Sequence, residues 1–310
     1  MNKAKLYLSL FRRTNRVTES LEKYLSEKQF QMDEAIIGYI KKLEAPERLK
    51  AAMKYSAEAG GKRLRPILMA ASCESYGGTL KMVTPAAAAL EMVHTYSLIH
   101  DDLPAMDNDN IRRGKPTNHI QFDEATAILA GDGLLTYSFE IIASELAVSE
   151  TKRVELIRQL ADAAGPKGMV AGQVLDMQAE DKKADLEQLE QIHTLKTGRL
   201  LRYAVTAGAM IGGATADQIA SLQEYAYYLG LIFQVQDDIL DVQGDPELIG
   251  KPVGSDETNL KSTYPKLLGL GGAIQQKELY IQKAKQSLKE AGVESSVLVD
   301  ITEYFGNRDR

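Results

Sequence analysis

The chain is poor in the residues that build disulfides and transition-metal sites. Its 310 residues include one cysteine, Cys73, and four histidines, and these show no ligand-like spacing. A single cysteine excludes an internal disulfide and agrees with a reducing compartment, so we expect a cytoplasmic protein. Zinc and other metals held by thiolate and imidazole groups are not expected.

Long apolar runs and an excess of positive charge are also missing. No apolar run approaches the roughly 18 residues that cross a bilayer, so stable membrane insertion is not expected. A formal net charge of -6 gives no general attraction to nucleic acid or to an anionic membrane, and any bound anion therefore needs a local basic pocket. The basic stretch 1–20 is interpreted as a solvated leader or the start of the first helix, rather than a targeting signal.

Helical periodicity dominates what is present. Apolar residues recur at three- and four-residue spacing among good helix formers, and no alternating strand pattern competes with them. Glycine and proline mark the breaks, without a long linker or a short repeat. The sequence therefore predicts an all-α fold with a single domain over 21–310. The predicted helical segments are 19–43, 84–102, 123–147, 150–163, 184–211, 215–242 and 274–292.

Negative charge is concentrated in the segment SLIHDDLPAMDNDNIRRGKP, residues 97–116. Pro104 should end a helix just after Asp102, and a turn there can bring Asp107 back toward Asp101. Taken alone, the cluster is also compatible with an acidic loop in solvent. At about 100° per residue, one face of the helix before the proline carries three polar side chains, namely His94, Ser97 and Asp101.

A second acidic stripe lies in LGLIFQVQDDILDV, residues 229–242. Carboxylates take positions there between apolar neighbours, and buried carboxylates are costly unless they are paired or bind a metal. The two stripes are separated by about 136 residues and could face each other across a bundle interior. Oxygen-only ligands suit a hard cation such as Mg²⁺. The stripe has i, i+3, i+4, i+7 spacing and consists of Gln234, Asp237, Asp238 and Asp241.

Basic residues flank both acidic clusters. GGKRLRP, residues 60–66, supplies three cations after a glycine pair, but it lacks the residue order of a Walker loop. Each cation alone is typical of a solvated surface. Carboxylates that hold Mg²⁺ beside Arg and Lys groups that pair with phosphate oxygens together indicate a site for diphosphate esters. The cations concerned are Lys62, Arg63, Arg65, Arg112, Arg113, Lys115, Lys196, Lys251 and Lys261.

In combination, these motifs resemble those of the all-trans isoprenyl diphosphate synthases, and most closely the bacterial-type farnesyl diphosphate synthases within that family. DDLPAMD at 101–107 and DDILD at 237–241 match the family's two aspartate-rich motifs. The resemblance runs from about residue 50 to the C-terminus. Further matching motifs occur in family order: GGKRLRP, HTYSLIHDD, RRGKPTNH, LAGDGLL, LKTG, FQVQDDILD and LKSTYP.

The resemblance implies an antiparallel helical bundle around a large central cavity, assembled as a homodimer. It implies condensation of isopentenyl diphosphate with dimethylallyl and geranyl diphosphate, assisted by three Mg²⁺ ions. Asn110 departs from the family pattern, because an acidic residue is common at that position. The implied main ligands are Asp101, Asp107 and Asp237, supported by Asp102, Asp238 and Asp241.

Two diphosphate sites are implied by the same resemblance. The site for isopentenyl diphosphate would comprise Lys62, Arg65, His94 and Arg113. The allylic site would comprise Arg112, Lys196, Thr197, Gln234, Lys251 and Lys261. Four of the allylic residues would also assist ionisation of the substrate, namely Lys196, Thr197, Gln234 and Lys251.

Product length is predicted to depend on Tyr96, helped by Ser97. Tyr96 precedes Asp101 by five residues, which places it roughly 7.5 Å deeper along a helix. Simple core packing is the alternative role for this ring. In the resembling family a bulky aromatic residue here accompanies fifteen-carbon products, so farnesyl diphosphate is expected and geranylgeranyl diphosphate is the alternative.

Two other functions share part of this pattern. A class I terpene cyclase also ionises a prenyl diphosphate with Mg²⁺, but it needs no second diphosphate site, and Lys62, Arg65 and Arg113 argue for one. A non-catalytic subunit tends to lose one acidic motif, whereas both are complete here. The synthase is therefore the preferred interpretation.

Overall fold

The structure, a computed structural model, describes residues 18–179, 184–243 and 262–308, and it is almost entirely helical there. The prediction of an all-α fold is confirmed. The helices are α1 (Glu19–Lys42), α2 (Glu47–Ala57), α3 (Leu64–Glu74), α4 (Leu80–Asp101), α5 (Asn118–Gln121), α6 (Glu124–Glu145), α7 (Glu150–Ala164), α8 (Met169–Ala179), α9 (Leu186–His193), a π-helix (Thr194–Gly198), α10 (Arg199–Gly212), α11 (Ala216–Gln243), α12 (Tyr264–Glu290) and α13 (Val297–Asn307). Two short antiparallel strands, β1 (Ile111–Arg112) and β2 (Lys115–Pro116), form a hairpin after α4.

Each predicted helical segment corresponds to observed helix, with ends that differ by up to about ten residues. Helix α1 begins at Glu19, because the Thr18 hydroxyl accepts a hydrogen bond from the Leu21 amide at 3.2 Å and caps the first turn. The domain boundary at residue 20 remains a prediction, since residues 1–17 lie outside the described part. Five further helices were not among the predicted segments, namely α2, α3, α5, α8 and α13.

Helix α4 lies at the centre of the core and packs against α1, α3, α6 and α10. Its segment 86–93 is buried all round, and four consecutive alanines there let neighbouring helices approach closely. Helices α3 and α10 meet almost backbone to backbone, because a Cβ added at Gly212 would lie 2.5 Å from the Cys73 carbonyl oxygen. This dense packing fixes the end of α4, from which the first acidic motif emerges.

Helix α6 is the one helix in the described ranges that is long and apolar enough to cross a membrane, with a mean hydropathy of 1.2 over its most apolar window. Core helices of soluble proteins pass the same test, so this is a weak indication. Helix α6 packs along α4 in the core, and part of its opposite surface is apolar and exposed, including Ile128 and Leu129.

Candidate active site

A cavity of about 450 Å³ lies between α4, α8 and the π-helix. The polar residues of α4 predicted to share a face, His94, Ser97 and Asp101, all line it, and so does Tyr96. Helix α8 contributes an apolar wall made of Met169, Val170, Val174 and Met177. The cavity is therefore lined by polar side chains of α4 on one side and by apolar side chains of α8 on another.

The turn after α4 folds the first acidic motif back on itself. The Asp107 amide donates a hydrogen bond to the Asp101 carbonyl oxygen at 2.8 Å, and Asn108 takes a left-handed conformation with φ 53°. Burial raises the pKa of Asp101 to about 6, opposed by Lys196 and reinforced by Asp107. Asp101 thus carries a carboxylate whose negative charge the protein alone compensates poorly.

Asp102 lines a different pocket from Asp101. Its side chain is buried, and Oδ1 accepts a hydrogen bond from Arg112 Nε at 2.6 Å. Asp102, Arg112 and Arg113 line a separate small pocket beside α2 and the hairpin. One oxygen of Asp102 is therefore engaged by a predicted diphosphate ligand, and the supporting metal role of Asp102 remains a prediction.

Arg65, His94 and Arg113 lie together, as the assignment to one diphosphate site requires. The Nε of Arg65 is buried and has no hydrogen-bond partner in the part of the chain described. The pKa of His94 is held well below its usual value, first by burial and then by Arg65 and Arg113, with Arg63 and Arg112 contributing less. His94 is therefore a neutral imidazole among several guanidinium groups, which is a suitable environment for an anion.

The hairpin and the GGKRLRP segment are joined by Arg113. This arginine has φ 53°, donates a hydrogen bond to the Gly60 carbonyl oxygen, and places its Cζ 2.7 Å from where a Cβ of Gly61 would lie. Gly61 also has φ 125°, so it must be a glycine on both counts. Lys62 lies nearby, with Nζ 5.9 Å from the centroid of the Tyr304 ring.

Arg63 proves to be an anchor rather than a ligand candidate. It is buried at the start of α3 with φ 52°, and it donates to Asp33 Oδ1 at 2.7 Å and to Glu91 Oε1 at 2.9 Å. These bonds tie the GGKRLRP segment to α1 and α4. Arg63 was expected to pair with phosphate oxygens like the neighbouring cations, because nothing local to the motif indicates its distant carboxylate partners.

The π-helix presents Lys196 and Thr197 to the site. Lys196 Nζ forms an ion pair with Asp176 Oδ2 of α8 at 2.6 Å, and Thr197 Oγ1 accepts a hydrogen bond from Gln234 Nε2 of α11 at 3.0 Å. A Cβ at Gly172 would overlap the Lys196 backbone nitrogen. Single π-turns inside helices are frequent at functional sites, and this one places two predicted allylic residues between α8 and α11.

Two polar residues of α8, Gln173 and Asp176, were not predicted to belong to the site. Gln173 lines the cavity, and Asp176 holds Lys196. A signal was present in VAGQVLDMQ, residues 170–178, where these polar residues are three apart on an otherwise apolar helix and therefore share one face.

The second acidic motif is tied to the C-terminal end of the described chain. Asp237 Oδ1 accepts a hydrogen bond from Arg308 Nη2 at 2.6 Å, and the Arg308 guanidinium lies 4.0 Å from the centroid of the Phe233 ring. Asp238 Oδ2 accepts from the Tyr264 amide at 2.9 Å and so supports the start of α12. Asp241 is half-buried. Arg308 was not anticipated, since only the fold brings it near Asp237.

The carboxylates fit a magnesium site in their chemistry. Asp101 offers a buried oxygen donor, and its pKa is raised. A bound divalent cation would compensate the negative charge of this carboxylate. Within the described ranges no three Asp, Glu, His or Cys residues cluster as a ready-made metal cage. Mg²⁺ commonly uses one or two carboxylates together with waters and substrate phosphates. Two predicted allylic residues, Lys251 and Lys261, lie outside the described residues.

An aspartate, a lysine and an arginine thus line one cavity together with an apolar wall, and comparison with known proteins gives the family. The family profile described as polyprenyl synthetase matches residues 46–298, and the chain belongs to this family. A farnesyl diphosphate synthase from Geobacillus stearothermophilus is 52% identical over 292 residues, which is 94% of this chain and 98% of that protein. A farnesyl diphosphate synthase from Bacillus subtilis (strain 168) is 47% identical over 295 residues, covering 94% of this chain and 100% of the relative.

Solved structures support the same conclusion. The apo crystal structure of an FPP/GFPP synthase from Zymomonas mobilis superposes with a TM-score of 0.80 at 37% sequence identity, covering 92% of this chain and 98% of that chain. The likeness therefore extends over nearly the whole length of both proteins.

Proposed function

We propose that this chain is a prenyltransferase that condenses isopentenyl diphosphate with dimethylallyl and then geranyl diphosphate to give (2E,6E)-farnesyl diphosphate. Two relatives that cover most of the chain, at 52% and 47% identity, are farnesyl diphosphate synthases. One structural observation carries the assignment of two substrates. The Nε of Arg65 is buried and has no hydrogen-bond partner among the described residues, and Arg65 lines the same cavity as Asp101. A guanidinium group suited to an anion therefore lies in the same cavity as a carboxylate suited to a metal ion.

The residues divide between two diphosphates. Isopentenyl diphosphate is bound by Arg65, His94, Arg113 and Lys62. The buried Nε of Arg65, which has no hydrogen-bond partner among the described residues, supports this role. The allylic diphosphate is bound near Asp101 by Lys196 and Arg112, with Lys251 and Lys261 as further candidates. Three Mg²⁺ ions are proposed, held by Asp101, Asp107 and Asp237, with Asp102, Asp238 and Asp241 as supporting ligands or holders of water.

Bound magnesium supplies charge neutralisation for the departing diphosphate. Lys196 and Arg112 add fixed positive charge on the same leaving group as the allylic carbon–oxygen bond breaks. The Thr197 and Gln234 side chains lie close to the cavity and orient oxygen dipoles toward the resulting allylic cation. The apolar wall of α8 excludes water that would trap it.

The double bond of isopentenyl diphosphate supplies the electron pair for the new carbon–carbon bond. The other carbon of that double bond is left with the positive charge. A proton is then lost from the carbon next to it, and the electrons of the broken carbon–hydrogen bond form the new double bond. Released pyrophosphate is the proposed proton acceptor, because the neutral His94 belongs to the diphosphate site and no other base was assigned from the sequence. The products are a prenyl diphosphate longer by five carbons, pyrophosphate and a proton.

Tyr96 is proposed as the wall that stops elongation at fifteen carbons. Tyr96 is only 7% exposed. It lines the cavity on the same helix as Asp101, and Ser97 lines the cavity beside it. Each further isoprene unit would bury five more carbons, a gain of about 4 kcal/mol at roughly 0.8 kcal/mol per methylene. A physical obstacle is therefore needed to end growth.

Assembly as a homodimer is also proposed, in the cytoplasm. Exposed apolar side chains on α5 and α6, namely Ile120, Ile128 and Leu129, are 52%, 43% and 59% exposed. A second copy of the chain would cover this surface and remove its apolar area from water.

The test of two diphosphate sites compares Arg65→Met with Arg48→Met. Purified protein is assayed with Mg²⁺, isopentenyl diphosphate and geranyl diphosphate, and products are separated by chromatography. Loss of a buried charged donor should cost on the order of 3 kcal/mol, so KM for isopentenyl diphosphate should rise about 100-fold while KM for geranyl diphosphate changes little. Arg48 is an exposed cation paired with Asp123 and serves as the matched control.

The rival functions give different results in the same assay. A terpene cyclase would consume a prenyl diphosphate without isopentenyl diphosphate and release hydrocarbon or alcohol. A non-catalytic subunit would be inactive alone. An Arg65→Met variant that affects only the allylic substrate would show that the two diphosphate sites are assigned the wrong way round.

A further inference from the structure

His100 lies one helical turn from Tyr96 on the cavity side of α4. The two side chains are four residues apart, their ring centroids are 5.6 Å apart, and their planes meet at 81° in an edge-to-face contact. Both residues line the 450 Å³ cavity. The Tyr96 ring is therefore supported on one side by the imidazole of His100.

Helix α6 fixes His100 from the other side. His100 Nε2 lies 3.1 Å from the Ile128 carbonyl oxygen, and a carbonyl oxygen only accepts, so Nε2 carries the proton in this bond. The Asp132 Oδ1 lies 4.0 Å from the same nitrogen. The imidazole is thus held in one orientation by a backbone group of α6 rather than by another movable side chain.

Gly131 leaves the space that the imidazole occupies. A Cβ at this position would overlap His100 Nε2 and would lie 2.5 Å from Cδ2 and 2.9 Å from Cε1. Gly131 has no positive φ, so its backbone conformation does not demand glycine. The reason for a glycine here is the close approach of the His100 ring.

We propose that His100 is a positioning residue that sets product length by holding the Tyr96 ring across the cavity, and that Gly131 contributes by leaving the space in which the His100 ring lies. This inference rests on the proposed role of Tyr96 as the wall. The ligand concerned is the hydrocarbon tail of the allylic diphosphate, which meets the Tyr96 ring as it grows.

Replacing His100 and replacing Gly131 should change product length in opposite directions. His100→Ala removes the support, so the Tyr96 ring can turn aside and products of twenty carbons or more should appear. Gly131→Ala adds a methyl group where the imidazole lies, and the ring is displaced toward Tyr96 and the cavity. The tail then has less room, and ten-carbon geranyl diphosphate should accumulate at the expense of the fifteen-carbon product.

Gly133→Ala is the matched control on the same helix. A Cβ at Gly133 would face Met53 Sδ at 3.3 Å and the Leu49 side chain at 3.8 Å, contacts on α2 that a flexible side chain can accommodate. This variant should keep the wild-type product distribution. It carries the same glycine-to-alanine change in helix propensity as Gly131→Ala, so it separates that effect from displacement of His100.

Two double variants test whether the parts act through one another. His100→Ala with Gly131→Ala should give the products of His100→Ala alone, because the methyl group then has no imidazole to displace. Adding His100→Ala to Tyr96→Ala should lengthen the products no further than Tyr96→Ala does.

The measurement is the chain length of products from purified protein with Mg²⁺, isopentenyl diphosphate and dimethylallyl diphosphate, together with the melting temperature of each variant. Gly131→Ala still tests the idea if His100→Ala does not fold. Products centred on fifteen carbons in folded Gly131→Ala, or in folded His100→Ala, would overturn the role of His100. A Tyr96→Ala variant that stops at fifteen carbons would instead refute the proposed wall, and a wild-type protein without a fifteen-carbon product would refute the proposed function itself.

Discussion

Replacing Asp101 with asparagine should stabilise the metal-free protein and abolish turnover. Burial raises the pKa of Asp101 to about 6 from an ordinary value of 3.8, with Lys196 opposing the shift and Asp107 adding to it. The folded protein therefore binds a proton at Asp101 more tightly than the unfolded chain does. This contribution favours folding fully below about pH 4, and the advantage is lost as pH rises through about 6.

The magnitude follows from the difference in pKa. The difference between a pKa of about 6 and one of 3.8 corresponds to at most about 3 kcal/mol, because each pKa unit is worth 1.36 kcal/mol and solvent near the cavity screens part of the effect. Asparagine has nearly the same shape as aspartate and no charge. Above pH 7 the free energy of unfolding of the variant should therefore exceed that of the wild type by up to this amount. A melting temperature higher by on the order of 5 °C is expected.

The assay is thermal unfolding between pH 4 and pH 8 in the presence of EDTA, alongside turnover at saturating Mg²⁺. The gain in stability should grow as pH rises from 4 to above 6, and Mg²⁺ with pyrophosphate should protect the wild type more than the variant.

Asp123→Ala is a control of opposite sign, since hydrogen bonds from the Thr126 amide and Arg48 lower the pKa of that exposed carboxyl to about 2. Its loss of stability should appear above about pH 4. If Asp101→Asn melts at a lower temperature than the wild type at pH 8, the reasoning about its charge is wrong.

Two further predictions concern the cavity wall and the π-helix. Tyr96→Ala should open the cavity and shift products to twenty carbons or more, measured by chromatography; a variant that stops cleanly at fifteen would place the wall elsewhere. Gly172→Ala should displace Lys196 and reduce turnover at a stability cost of about 1–3 kcal/mol, measured by initial rates and melting temperature. Gly38→Ala is its control, because a Cβ there meets nothing within 4 Å, and normal turnover in Gly172→Ala would contradict the proposed packing role.

The sequence by itself determined the helical class and the location of the first acidic motif. Apolar spacing over 19–43 or 215–242 is a local property, and the helices α1 and α11 follow it closely. The break at Pro104 is local too, because proline has no amide hydrogen to donate to the preceding turn, and the Asp107 amide indeed returns to the Asp101 carbonyl oxygen. Such features depend on neighbours a few residues away and can therefore be read from a single sequence.

Only the tertiary structure decided which side chains face the cavity and which are engaged elsewhere. Asp101 and Asp102 are adjacent in sequence, yet one lines the cavity and the other is buried against Arg112. Arg63 and Arg65 belong to one motif, yet Arg63 is bound by Asp33 and Glu91 while the Nε of Arg65 has no partner in the described structure.

Two further contacts could not be predicted from the sequence: that of Asp237 with Arg308, and that of the His100 ring with Gly131. Each joins residues that are more than 25 positions apart, and the approach of their helices depends on how the whole core packs. Local propensity fixes the helices, whereas the orientation and pairing of a side chain at their ends follow from the close packing of helices that are distant in the chain.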